Sequence, residues 1–153
     1  MVRRVLAAGI AIVIGTITVT ACGSDSSALS ADEFRTEANK ICDEGAERLE
    51  ELGQDLADSF EGDEAPSEEA ISDAMTEILD EIEDQIADLR ALEGPDDLES
   101  DVNDVLDDAI SALDDLRDQL EEDPMSVLES EEDPFADVNE RLTELDLEKC
   151  GES

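Results

Sequence analysis

From Phe34 to Leu145 the large apolar residues return every three or four positions, and no segment alternates apolar with polar. That spacing lines them along one side of a helix and argues against half-buried strands, whose side chains repeat every two residues. The pattern stands out against a very acidic background. The 153 residues hold 47 Asp or Glu against 9 Lys or Arg, a formal charge of −38. High charge by itself suits disorder, but 40% hydrophobic content in regular periods suits a chain that folds. The expected fold class is all-α.

The segments are bounded by recognisable signals. Ser30 with Glu33 forms a capping box, and Phe34, Ala38, Ile41, Gly45, Leu49, Leu52, Leu56 and Phe60 make one face of a long first helix. Gly62 and Pro66 end it, and Ser67 caps a second helix with Ile71, Met75, Ile78, Ile82, Ile86, Leu89 and Leu92 inward. Gly94-Pro95 closes that helix and opens a third, which buries Leu98, Val102, Val105, Ala109, Leu113, Leu116 and Leu120. Asp123-Pro124 and Asp133-Pro134 each read as an N-cap followed by proline at the first helical position. The first opens one or two turns. The second opens a short helix with Phe135, Val138, Leu142 and Leu145 inward, and an extended tail follows. Short connections make neighbours antiparallel, so the expected architecture is a bundle of three long helices plus a shorter C-terminal one.

The first residues are of another kind. Met1 to Arg4 is a basic start, and Val5 to Val19 carries no charge. That run falls short of the roughly 20 residues of a comfortable membrane span, and it stops at a small-residue processing site. Val19-Thr20-Ala21-Cys22 reads as a lipobox, with Cys22 as the lipid anchor. The alternatives are an uncleaved anchor, or an ordinary signal cut after Ala21 that leaves Cys22 unlipidated. Arg3-Arg4 is also compatible with twin-arginine export. Residues 1–21 are then a lipoprotein signal peptide, 22–30 a flexible tether and 31–153 one acidic helical domain. Loss of Arg3 and Arg4 takes the formal charge from −38 to −40.

With Cys22 lipidated, Cys42 and Cys150 remain in an oxidising compartment, where an even remainder favours pairing. At about 1.5 Å per residue in a helix and about 3.3 Å in an extended tail, Cys150 descends close to the level of Cys42. Ala38, Gly45 and Ala46 leave a groove beside Cys42 in which such a tail fits. Two free buried thiols or a redox-active pair are the rival readings, although a redox pair usually comes as C-x-x-C. The expectation is a structural disulfide.

Phe34 with Ile41-Cys42, Leu89-Arg90-Ala91-Leu92-Glu93-Gly94-Pro95, and Asn139 followed by Leu145-Asp146-Leu147-Glu148-Lys149-Cys150 form an ordered set. In this set the chain resembles small helical lipoproteins of actinobacterial cell envelopes, whose similar ends carry I-C and L-x-L-x-x-C. The resemblance spans the chain after the signal and implies a secreted helical domain with one disulfide. It brings no activity with it. This chain is more acidic than that group leads one to expect.

Composition narrows function mainly by exclusion. Such a charge repels nucleic acid and anionic headgroups, and no histidine supplies a general base or metal ligand. No Trp or Tyr and only three Phe leave few rings for stacking sugars or bases. Asp107-Asp108, Asp114-Asp115 and Glu121-Glu122-Asp123 are paired carboxylates on polar helix faces, not in a shaped cleft. Lys40 and Lys149 have no spacing that makes a Ser–Lys pair. Asp101 to Leu106 fails the EF-hand pattern at its fifth and sixth positions. The few basic residues suggest helical pairs such as Glu44 with Arg48 and Asp137 with Arg141. The expected function is therefore that of a lipid-anchored, non-enzymatic protein on the extracytoplasmic face of the bacterial cell membrane. It meets an envelope protein partner through its acidic face, with no catalytic residue, metal ligand or cofactor assigned. The alternatives are weak Ca²⁺ or Mg²⁺ binding and carriage of an apolar ligand between the helices.

Overall fold

The computed structural model describes residues 28–61, 66–130 and 132–152. Among these described residues six helices follow one another: α1 (Ala31–Phe60), α2 (Glu68–Arg90), α3 (Asp96–Glu122), α4 (Pro124–Glu129), α5 (Ala136–Glu144) and α6 (Glu148–Gly151). No strand occurs among the described residues, so the all-α bundle stands. The three long helices make three of its sides. α5 and α6 together make the fourth, α5 packing on α3 and α6 returning to α1. α4 lies across α2 and α3.

Specific contacts fix the antiparallel register. The Leu29 N–H donates to the Glu93 carbonyl at 2.8 Å, joining the start of α1 to the end of α2. Further along, the Gln85 Nε2 donates to the Cys42 carbonyl at 3.3 Å. Between α2 and α3, Arg90 reaches Asp107 while Arg117 reaches Asp80. Leu29 also packs on the core, so the fold begins within the segment expected as a tether.

The capping signals act as expected at three helix starts. Ser30 and Glu33 exchange both capping-box bonds, the Ala70 N–H donates to Ser67 Oγ at 3.2 Å, and Asp123 Oδ1 accepts from the N–H groups of Met125 and Ser126. Two signals work differently. Asp133 accepts from the Phe135 N–H at 2.9 Å and, through its carbonyl, from Ala136. Pro134 thus sits in a turn, and α5 opens only at Ala136. Gly94 does not use a left-handed backbone. It is needed for close approach, because a Cβ there would lie 2.5 Å from the ring of Phe34.

The core is one cluster built on Phe34, Val102, Val105, Leu106, Leu113 and Leu147, all almost fully buried. Its composition corrects several expectations. Leu79 and Leu106 are buried although off the expected stripes, while Met75, Ile78, Ile82 and Leu116 are only half-buried. The far end of α1 is looser still, and Phe60 is 43% exposed.

The largest correction is the tail, which is not extended. α5 ends with Asp146 at φ 62°. The Leu147 N–H returns to the Leu142 carbonyl at 3.0 Å, and the Asp146 N–H returns to that of Thr143 at 3.1 Å. These are the two bonds of a Schellman turn, with Leu147 buried alongside Leu142 as that motif favours. The short α6 then carries Cys150 to Cys42. The two form the expected disulfide, with 4.9 Å between their Cα atoms.

Candidate functional site

The ring of helices leaves a hollow of about 160 Å³ behind the disulfide. α2 contributes Ile82, Gln85, Ile86 and Leu89, and α3 contributes Leu106 and Ala109. Val138, Asn139 and Leu142 of α5, with Phe135 just before it, close the opposite wall; Cys42, Leu49 and Cys150 complete the lining. Small side chains explain the space, since the cysteines and Ala109 stand where larger residues would fill it. The hollow has the size of cavities that take a benzene-sized group and is smaller than most drug-sized sites.

Only Gln85 and Asn139 bring polar side chains to this lining. The Gln85 amide donates to Cys42 and lies against Gly45, where a Cβ would come within 2.6 Å of its Nε2. Gly45 therefore makes room for Gln85. Both polar residues occupy core-facing positions, Gln85 between Ile82 and Leu89 and Asn139 between Phe135 and Leu142. The signal was in their spacing, and counting only apolar residues passes over it.

A second, wider cleft of about 650 Å³ lies outside Ile82 and Phe135, which line both spaces. Its floor is Met75, Ile78, Leu79, Leu116 and Val127, and its rim carries Gln119, Ser130, Glu132 and Asp133. The half-buried residues of α2 and α3 that were expected in the core line this cleft instead.

Charge is distributed by a simple rule. Each of the five described arginines binds a carboxylate on another element: Arg35 with Asp146, Arg48 with Glu81, Arg90 with Asp107, Arg117 with Asp80 and Glu83, and Arg141 with Asp108. The expected pairs Glu44–Arg48 and Asp137–Arg141 give way to these. An arginine at a helix–helix seam reaches its neighbour's carboxylates as easily as its own, and Lys40 takes Glu44 at 3.9 Å. Donating a hydrogen bond to the Glu81 carboxylate raises the Arg48 pKa, and donating to that of Glu83 does the same for Arg117. Both stay charged throughout.

Cys22 lies outside the described residues, and Cys42 and Cys150 are brought together. Asp107 and Asp108 serve arginines, Asp114 and Asp115 are exposed on α3, and Asp123 caps α4. Asp101 to Leu106 is continuous helix with Val102, Val105 and Leu106 buried, so it forms no ion-binding loop. No group of three or more His, Cys, Asp or Glu able to hold a metal ion occurs among the described residues. No helix among them is long and apolar enough to cross a membrane. Compared with protein-family models, with curated proteins and with solved structures, the chain finds no match.

Proposed function

We propose that this chain is a lipid-anchored, non-enzymatic protein of the bacterial cell envelope that acts by holding an apolar group between its helices. The observation that carries the reading is the hollow behind the disulfide, whose lining is apolar apart from Gln85 and Asn139. Such a lining offers no paired acid and base, but it removes apolar surface from water, which favours binding by about 25 cal/mol per Å². The anchor rests on the Val19-Thr20-Ala21-Cys22 lipobox. The resemblance to actinobacterial envelope lipoproteins agrees with it.

Two readouts test the two halves. Mass spectrometry of membrane-derived protein should find a mature chain starting at Cys22 and carrying a diacylglyceryl group. A mature terminus without that mass ends the anchor reading. Toluene, a neutral probe of the hollow's size, should bind saturably, read by ligand-observed NMR, to the chain from Gly23 onward, which keeps every core residue. Ala109→Leu, which fills the hollow from α3, should weaken that response several-fold while helical content is kept. An unchanged response ends the binding reading.

A further inference from the structure

We propose that the hollow and the outer cleft form one site for a cationic amphiphile, a molecule with an aliphatic chain and an ammonium or guanidinium head. The proposal rests on the binding reading above and names its ligand class. Ile82 and Phe135 line both spaces and stand between them. Phe135 is only half-buried, in the turn ahead of α5, so its ring can swing without unpacking a long helix. The inner space is small, about 160 Å³, with the buried disulfide in its wall, which suits the end of a flexible chain and not a helix or a folded partner. The outer cleft, at about 650 Å³, falls within the usual range of small-molecule sites.

The sign of the head follows from the rim. Glu132 and Asp133 stand at the open end, and the Phe135 N–H holds the Asp133 carboxylate in place at 2.9 Å. Among the described residues no Lys or Arg lines either space, and every described arginine is held by carboxylates on other elements. A chain of formal charge −38 adds a long-range field that draws cations and repels anions. An anionic head meets two carboxylates, and a neutral head gains nothing from them. Charge complementarity therefore selects the cation.

Calorimetric titration of the chain from Gly23 with decyltrimethylammonium, below its micelle concentration and at physiological salt, tests this. One equivalent should bind, at least tenfold more tightly than butyltrimethylammonium, which has the head without the chain. Decanoate should not bind. Glu132→Gln, an exposed change that leaves the core intact, and its combination with Asp133→Asn should weaken the ammonium about tenfold and leave neutral decyl maltoside unchanged. Ala109→Leu should weaken both decyl ligands. Equal binding of decanoate, or no effect of the rim changes while decyl maltoside still binds, overturns the cationic class and leaves the binding reading intact. Several equivalents of ammonium bound without regard to Ala109→Leu mean adsorption to the acidic surface, and also overturn it. If no decyl ligand binds at all, the binding reading falls with it.

Discussion

Asp146 shows how much of this structure turns on single residues. Its left-handed backbone is uncommon for a residue with a Cβ, although Asp and Asn tolerate it best. The turn survives because its neighbours hold it from several directions. Leu147 is fully buried, Arg35 donates to the Leu145 carbonyl at 3.0 Å, and Asn39 donates to that of Asp146 at 3.1 Å. Asn39 also accepts from the Lys149 N–H at 2.9 Å. One face of α1 thus receives the whole tail, with the disulfide at its end. A crosslink closing so long a loop stabilises by about 4.7 kcal/mol in the chain-entropy estimate, an upper figure. At the other end of the same helix start, Glu33 has its pKa lowered from 4.5 by hydrogen bonds from the Ser30 hydroxyl and then the Ser30 N–H. A lowered folded pKa means stability present above 4.5 and lost as pH falls through the folded value. The melting-temperature advantage of wild type over Glu33→Gln should therefore be constant near neutral pH and vanish in acid. An advantage that grows on acidification contradicts this assignment.

Helices are where the chain is most readable. Ser30, Ser67 and Asp123 mark three helix starts because a side-chain oxygen at an N-cap satisfies amides that nothing else reaches. Apolar spacing places α1, α2 and α3 because a helix buries a stripe whatever it packs against. What it packs against is less legible. α2 touches both α1 and α3, so its buried face is wider than one stripe and takes in Leu79. The same geometry leaves Met75, Ile78 and Ile82 at the cleft. α6 had no signal at all, since one turn is too short for a period and its position depends on Asp146, Cys150 and Gly151. A Cβ on Gly151 would run into Thr143 Oγ1 and the Asn139 carbonyl. The pairing of Cys42 with Cys150 was legible by elimination and distance. The hollow beside them was not, because it depends on which small residues face one another across five elements.

At the scale of the whole molecule, 47 acidic residues meet only 9 basic ones. The interhelical arginine pairs oppose their repulsion only locally, and exposed pairs contribute about 0–1 kcal/mol each. Repulsion among the remaining carboxylates is longer in range and is screened within about 8 Å at physiological salt. The melting temperature should rise from dilute buffer to molar sodium chloride, with low millimolar calcium giving part of the gain. A salt-independent melt means that self-repulsion is not the main force against this fold. The disulfide then acts against a background of repulsion as well as chain entropy, holding α6 on α1 and keeping the wall of the hollow closed. A charged shell lies around a small apolar space, and methyl NMR during a benzene titration is the direct test of that arrangement. Saturable shifts are expected at Ile82, Ile86, Leu106 and Leu142, which line the hollow, with Leu98 and Leu120, which do not, unmoved. Shifts spread evenly over all these methyls, or none at the hollow, would contradict it.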